Sequence, residues 1–412
     1  MSEFNVRREK LLNMMEEKSI ALIYSGVSKI ASEDDFLPFC VNRNFYYLSG
    51  IEQEGSILML VKGIGVDKQS LFISPFDPLK ERWTGKKLTP QEASEISMLQ
   101  NVYTSDTFET ILSLTIKELG RVNKIYLDLA PEIKIKDSYS TRELQKKYRE
   151  EGYEVEDVYP LIRRLRMVKS EEEIEHLRKA IDKTNMALNK LMKALRPGVY
   201  EYELADLFEF SGREKGKNNL SFPTIVGAGI NSTCLHYPTL NCKVQEGDIV
   251  LFDLGLMDSL YCADISRTYP VDGVFSELQR KIYEAVLNCN KAVIAYIKEG
   301  LTIADLQNFA IEYLKNECVR MKLIKPEADI RKYYIHNVSH HLGLDTHDIS
   351  DRNIPLERGN VITVEPGLYF PEHKIGVRIE DDVLVTATRA EVLSSGIIKE
   401  IHDIEKMLKT RK

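Results

Sequence analysis

Three stretches share an apolar strand pattern interrupted by a carboxylate: NVITVEPGLYF (360–370), GVRIEDDVLVT (376–386) and DIVLFDLGL (248–256). Their carboxylates are Glu365, Glu380 and Asp253, and Asp264 follows Asp253 by eleven residues. A buried, ionised carboxylate without a partner is so costly that it normally protonates instead. We therefore expect these four side chains to converge on a positive charge.

Histidines point to the same part of the chain. Of the eight in the sequence, four lie in IHNVSHHLGLDTHD (335–348). One imidazole with four carboxylates is an oxygen-rich set that favours manganese, cobalt, iron or magnesium over a thiolate zinc site. Two divalent ions would balance four carboxylates, and ions about 3.5–4 Å apart can share a bridging hydroxide that attacks an amide. The pattern predicts a two-metal hydrolase.

Composition and known motifs narrow the function further. The net charge of -7 and the lack of a Lys/Arg block argue against nucleic-acid binding. No apolar run has the length of a membrane helix, and MSEFNVRREKLLNMMEEKS (1–19) has no apolar signal core, so we expect no membrane contact and a cytoplasmic location. Six scattered cysteines read as free thiols. The GxSxG, HExxH and Walker A motifs are absent from the sequence.

A length of 412 residues predicts two domains, which we place at 1–160 and 161–412. The first alternates helical patterns with strand patterns, which indicates a small α/β domain; the strand patterns are at 19–26, 56–63, 70–75 and 124–130. The second opens with a long helix that Ser170 and Glu173 cap, and further helices are expected at 276–300 and from 302 onward. The basic stretch LIRRLRMVK (161–169) is interpreted as a solvated or interdomain surface.

The motifs together resemble the Xaa-Pro aminopeptidase (aminopeptidase P) and prolidase branch of the pita-bread metallopeptidases. The resemblance covers nearly the whole chain. It implies an α/β (α+β) protein in which a small N-terminal α/β domain precedes a pita-bread (creatinase/aminopeptidase) domain. The segments that carry it are RNFYYLSGIEQEG (43–55), ERWTGKKL (81–88), FDLG (252–255), ADISRTYPV (263–271), SHHLGLDTHD (339–348), TVEPGLYF (363–370) and GVRIEDD (376–382).

The resemblance assigns a role to each site residue. Two divalent ions, manganese or alternatively cobalt, would be held by Asp253, Asp264, His340, Glu365 and Glu380, with Asp264 and Glu380 bridging both. The catalytic residues would be His236, His347 and Glu365. The substrate-binding residues would be His236, His336, His347, Arg352 and Arg378.

The implied substrates are short proline-containing peptides, and the implied assembly is a homodimer or homotetramer. Two enzymes of the branch remain open: an Xaa-Pro aminopeptidase acting on peptides of three or more residues, and a prolidase limited to dipeptides. A prolidase needs a cation for the proline carboxylate, and Arg352 is a candidate. A third reading is a metal-free binding module of the same fold; the complete set of ligand types argues against it.

Overall fold

The computed structural model describes residues 2–33, 35–129, 141–214 and 219–410. The chain divides into two compact units, Met1–Leu165 and Arg166–Lys412. The boundary expected at 160/161 falls in the same helix, Tyr159–Met167, as the division between these units. The described residues contain no helix long and apolar enough to cross a membrane.

The first unit contains a six-stranded mixed sheet in the order β6-β5-β4-β1-β7-β8. The four strand patterns of the sequence correspond to β1, β4, β5 and β7, although Ala130, the last residue expected in the fourth, lies outside the described residues. The strands of this unit are β1 (Ser19–Tyr24), β2 (Ile30–Ser32), β3 (Asp35–Phe36), β4 (Ile57–Lys62), β5 (Lys68–Ile73), β6 (Val102–Thr104), β7 (Lys124–Leu127) and β8 (Val155–Asp157).

Helices complete this unit, and one of them shows how the sequence determines its packing. Phe108 and Leu112 lie on the buried face of α5 and pack on the sheet beside Phe72, and Gly120 ends the helix with a positive φ of 72°. The helices are α1 (Glu3–Met14), α2 (Arg43–Ser49), α3 (Pro78–Thr84), α4 (Pro90–Ser97), α5 (Phe108–Leu119), α6 (Thr141–Glu150) and α7 (Tyr159–Met167).

The second unit begins with the long helix that the sequence predicts. Ser170 Oγ accepts from the backbone N–H of Glu173, whose carboxylate accepts from the Ser170 N–H, so the expected capping box is present. Thr302 and Asp305 cap α11 in the same way. The helices of this unit are α8 (Glu171–Ala194), α9 (Glu201–Gly212), α10 (Glu277–Tyr296), α11 (Ile303–Arg320) and α12 (Ile401–Lys409).

The strands of the second unit form several small sheets. Two are three-stranded, in the orders β13-β10-β9 and β14-β17-β18, and two are the pairs β11-β12 and β15-β16. The strands are β9 (Ile225–Ala228), β10 (Ile249–Leu254), β11 (Met257–Asp258), β12 (Tyr261–Cys262), β13 (Ile265–Pro270), β14 (Val361–Val364), β15 (Gly367–Phe370), β16 (Ile375–Arg378), β17 (Asp381–Val385) and β18 (Ala390–Val392).

The apolar patterns of stretches 360–370 and 376–386 suggest two continuous strands, but neither stretch forms one. Each is broken at its glutamate: Glu365-Pro366 separates β14 from β15, and Ile379-Glu380 separates β16 from β17. The breaks face each other, because Val364 pairs with Asp381 on one side and Gly367 pairs with Arg378 on the other. Proline lacks the N–H that a continuing ladder would need at position 366.

Candidate active site

Asp253 lies on the middle strand of the β13-β10-β9 sheet. It pairs in register with Ser266 of β13, and the whole of β10 is buried. Asp264 comes immediately before β13 and is 4% exposed. Antiparallel pairing therefore brings two carboxylates from neighbouring strands to one end of this sheet.

The two glutamates reach the same place from the facing strand breaks. The backbone N–H of Glu380 donates to the Ser266 carbonyl at 3.1 Å, which ties this break to β13. The backbone N–H of Glu365 donates to the Val338 carbonyl at 2.9 Å, which ties the other break to the segment that carries His340. Glutamates at these breaks can point away from the strand ladders and towards one another.

His340 completes the set. Its Nε2 atom lies 3.4 Å from Asp264 Oδ2 and 3.5 Å from Glu365 Oε1. Asp264, His340 and Glu380 each offer one ligand atom, and these three atoms lie within 4.8 Å of one another. Ser266 Oγ lies 3.2 Å from Asp253 Oδ1 and 2.7 Å from Glu380 Oε2, so Asp253 joins the same cluster. The structure thus brings together all five residues expected to bind metal.

The tautomer of His340 suits metal binding. Its Nδ1 atom lies 3.0 Å from the His341 carbonyl oxygen, which can only accept, so Nδ1 carries the proton. Nε2 is then the ring nitrogen that faces the carboxylates of Asp264 and Glu365, and a bound cation would take the place of its proton. A hydrogen bond that fixes the outer ring nitrogen is typical of metal-ligating histidines.

The electrostatics of the cluster favour the binding of a positive charge. Burial raises the pKa of Asp264 to about 6 and that of Glu365 to about 7, and it raises the pKa of Glu380 well above its usual value. Burial alone would lower the pKa of His340, but Asp264 and Glu365 raise it to about 9. Divalent cations would stabilise the ionised carboxylates, so the donor set fits the metals that the sequence predicts.

Two residues hold the carboxylates in place: Arg378, which the resemblance already placed at the site, and Ser266, to which sequence reasoning gave no role. Arg378 donates from Nη2 to Asp253 Oδ2 at 2.6 Å and from Nε to Ser266 Oγ at 2.7 Å. Ser266, which is fully buried, lies between Asp253 and Glu380. Ser266 was visible in the motif ADISRTYPV (263–271), but only the register of β10 with β13 shows what it contacts.

His336 belongs to a hydrogen-bonded chain that begins at Arg378. Its Nδ1 atom donates to the Asn337 carbonyl at 2.8 Å, so Nε2 accepts from the Tyr369 hydroxyl at 2.9 Å. Arg378 Nη1 in turn donates to the Tyr369 oxygen at 3.0 Å. Burial and the charge of Arg378 lower the pKa of His336 to about 3, so this imidazole is neutral.

His347 and His236 lie on the exposed side of the cluster. The rings of His347 and His340 are perpendicular, with centroids 4.3 Å apart. Partial burial, together with His340 and His236, lowers the pKa of His347 to about 4. His236 influences the pKa of both His336 and His347, which places it near both. Arg352 lies on an exposed turn and forms no ion pair within the described residues.

The segment that carries His347 is anchored by a buried ion cluster. Asp348 accepts from Arg166 and, at 3.0 Å, from Lys169 Nζ. Arg166 is 2% exposed and Lys169 is 5% exposed. The interpretation of stretch 161–169 as a solvated surface is therefore wrong for these two residues, because Asp348 supplies a buried counter-charge that lies 179 positions away from Lys169.

This fold and this donor set define a metallopeptidase of the pita-bread class. Residues 175–387 match the family model of metallopeptidase family M24, and residues 4–126 match that of the aminopeptidase P N-terminal domain. The chain belongs to metallopeptidase family M24. The expected architecture, an N-terminal α/β domain followed by a pita-bread domain, is confirmed.

The relatives of this chain cover its full length. It is 32% identical to the Xaa-Pro aminopeptidase of Haemophilus influenzae over 426 residues, and this alignment covers 98% of this chain and 97% of that protein. It resembles the structure of a Bacillus anthracis protein provisionally assigned as an aminopeptidase P, with TM-score 0.95, 39% identity and coverage of 100% and 98%. It also resembles zinc-substituted Escherichia coli aminopeptidase P in complex with product, with TM-score 0.89, 30% identity and coverage of 100% and 99%.

Proposed function

We propose that this enzyme is an Xaa-Pro aminopeptidase, which hydrolyses the bond between the first residue of a peptide and a following proline. Two divalent ions, manganese or cobalt, would be held by Asp253, Asp264, His340, Glu365 and Glu380. The proposal rests on the convergence of these donors. Ligand atoms of Asp264, His340 and Glu380 lie within 4.8 Å of one another, and Glu365 Oε1 lies 3.5 Å from His340 Nε2.

Residues of the chain have separate roles in the reaction. Divalent ions, when bound, supply an activated water and polarise the scissile carbonyl. Glu365 accepts a proton, while His236 and His347 contact the scissile carbonyl from the exposed side of the cluster. His336 lines the pocket as a neutral imidazole held by Tyr369.

The aminopeptidase is favoured over the dipeptidase. The relatives from Haemophilus influenzae and Escherichia coli, each aligned over 98% of this chain, are named Xaa-Pro aminopeptidases. A dipeptidase needs a cation for the proline carboxylate, but three nitrogens of Arg378 already donate to Ser266, Tyr369 and Asp253. Arg352 is exposed and is the remaining candidate for that contact.

A comparison of two substrates tests this choice. The purified protein with added manganese is given the dipeptide Gly-Pro and the tripeptide Gly-Pro-Leu, and free glycine is measured by chromatography. We expect release from the tripeptide at a far higher kcat/KM. Cleavage of the dipeptide alone would make the enzyme a prolidase, and Gly-Ala-Leu serves as the control for proline specificity.

Metal dependence and the number of ions are tested on the same preparation. We expect EDTA to abolish activity and manganese or cobalt to restore it, with elemental analysis giving two ions per chain. One ion per fully active chain would contradict the dinuclear site. Full activity after EDTA, with no metal left in the protein, would contradict the metal mechanism itself.

The proposal also includes an oligomeric assembly and a cytoplasmic location. Ile30, Leu79 and Trp83 line one open groove of the first unit and are 71%, 69% and 86% exposed. Apolar groups this exposed favour a protein interface, which supports a homodimer or homotetramer. Light scattering after size exclusion measures the assembly, and cell fractionation tests the expected cytoplasmic location.

A further inference from the structure

Glu201 is a buried carboxylate outside the metal cluster. It is the first residue of α9 and is fully buried. Its Oε1 atom accepts from the Ala228 backbone N–H at 2.8 Å and from Asn231 Nδ2 at 2.9 Å, and its Oε2 atom accepts from the Cys242 backbone N–H at 3.0 Å. Three N–H groups thus share one carboxylate.

These donors lie at the two ends of a single segment, residues 229–241, which carries His236 near its middle. Ala228 and Asn231 lie at its start, and Cys242 follows its end. The backbone N–H of Glu201 also donates to the Cys242 carbonyl at 3.0 Å, and that of Tyr202 donates to Leu240 at 3.0 Å. One residue therefore ties both ends of the His236 segment to the first turn of α9.

The start of α9 does not itself require this carboxylate. Glu203, two residues further on, accepts from the Tyr200 backbone N–H at 2.7 Å and supplies the helix-capping contact. Burying the charge of Glu201 is costly unless its hydrogen bonds offset the lost hydration. The only use of those bonds in the described structure is to close the segment that carries His236.

We propose that Glu201 is a positioning residue for His236. By holding both ends of residues 229–241, it fixes where the exposed imidazole of His236 meets the substrate. This role rests on the proposed function, because His236 acts there on the scissile carbonyl. Displacing a catalytic group by about 1 Å can lower a rate roughly 100-fold.

Two variants of Glu201 separate the two ends of the segment. Glu201→Ala removes all three acceptor bonds. Glu201→Gln keeps one oxygen and is the milder change; its amide nitrogen cannot accept, so one end of the segment is released. Glu203→Ala is the matched control, because it alters the same helix turn without touching the segment.

Hydrogen exchange measured by mass spectrometry tests the anchor without any catalysis. We expect faster exchange in residues 229–242 for Glu201→Ala, a smaller increase for Glu201→Gln and no change there for Glu203→Ala. Unchanged exchange in folded Glu201→Gln and Glu201→Ala would overturn the proposal. This readout keeps its meaning even if the wild-type protein fails to cleave Xaa-Pro peptides, which would instead contradict the proposed function.

A double-mutant cycle tests the route through His236. We expect Glu201→Ala to lower kcat about 10- to 100-fold with a smaller change in KM, and Glu201→Gln to lower it less. In a His236→Ala background the same change should cost less than about twofold, because the positioned group is already gone. Equal losses in both backgrounds would mean that Glu201 acts independently of His236 and would overturn the proposal.

Discussion

Arg378 Nη2 lies 2.6 Å from Asp253 Oδ2, and both side chains are buried at the cluster of expected metal ligands to which Asp253 belongs. The same guanidinium reaches Ser266 through Nε and Tyr369 through Nη1. A planar fork holds its three partners in fixed directions, whereas the three donors of an ammonium group rotate on a flexible stem. Arg378 therefore sets the orientation of the Asp253 carboxylate, which we expect to bind metal.

Replacing Arg378 by lysine keeps the charge but removes the fork. We expect Arg378→Lys to weaken metal binding about 10- to 100-fold, as for other partners of metal ligands. Isothermal titration of the metal-free protein with manganese measures this. Arg280→Lys, at a partly exposed pair with Glu405, is the control and should leave the affinity unchanged. Wild-type affinity in Arg378→Lys would show that charge alone suffices.

Ser266 contacts two of the expected ligands with one hydroxyl. Ser266→Ala leaves the backbone pairing of β10 with β13 intact but frees Asp253 Oδ1 and Glu380 Oε2 from their common neighbour. We expect manganese affinity to fall about 10- to 100-fold, measured by competition with a chelator. Ser211→Ala, whose hydroxyl bonds within α9, should bind metal normally. Equal affinities in the two variants would argue against this role.

The carboxylates of Asp264 and Glu380 are expected to bridge the two ions. Asp264→Ala or Glu380→Ala should reduce turnover to background and lower the metal content, because each removes an oxygen donor from both ions. Elemental analysis and peptide hydrolysis are measured on the same sample. Glu246→Ala, on an exposed turn, controls for the loss of one acidic side chain. Near-normal turnover in either ligand variant would contradict the two-metal site.

His347 is expected to act on the substrate rather than on the metal. Its ring centroid lies 4.3 Å from that of His340. His347→Ala should lower kcat about 10²- to 10⁴-fold, the usual contribution of a proton-transferring side chain, while metal content stays at the wild-type level. Loss of metal together with activity would mean that His347 is itself a ligand.

Asp348 contributes to stability through Arg166 and Lys169. Asp348→Ala removes the buried carboxylate that Arg166 and Lys169 share, so we expect a loss of about 3–5 kcal/mol in the free energy of unfolding. Chemical denaturation of the purified protein measures it. Asp345→Ala removes the other, 40% exposed partner of Arg166 and should cost less than about 1 kcal/mol. Equal costs for the two variants would contradict the importance of the buried pair.

The same pair predicts a pH dependence. Burial alone would raise the pKa of Asp348, but Arg166 and Lys169 outweigh burial and hold the pKa below its usual value of 3.8. A lowered folded-state pKa contributes stability above the unfolded-state value, and that stability is lost as the pH falls through the folded-state value. The stability difference between wild type and Asp348→Ala should be constant near neutral pH and shrink below about pH 3.8.

Local sequence signals predicted the local features well. The capping residues Ser170 and Thr302 mark the starts of α8 and α11, because their hydrogen bonds reach only three residues along the chain. The four strand patterns of the first domain correspond to strands of its sheet for a similar reason: a short apolar run is a property of neighbouring residues.

Features that depend on distant partners were not predicted. Neither strand break was predicted: Pro366 lies at the break after β14, and the break at Ile379-Glu380 has no proline to mark it. Glu201 sits in unremarkable polar sequence, and the motif that ends at Asp348 does not show which residues Asp348 contacts. Their roles come from donors 27 and 182 positions away, Ala228 and Arg166, which no periodicity connects to them.

The facing strand breaks affect which ion such a centre would bind most tightly. Glu365 and Glu380 lie at joints between the β14-β17-β18 sheet and the β15-β16 hairpin, rather than on one rigid ladder. The distance between their carboxylates therefore depends on how the hairpin joins the sheet at these breaks. Buried side chains that are not expected ligands, such as Ile362 and Val377, thus help to set the ionic radius that the site accepts. Selectivity among similar cations could be redesigned from the hydrophobic interior, with every ligand left unchanged.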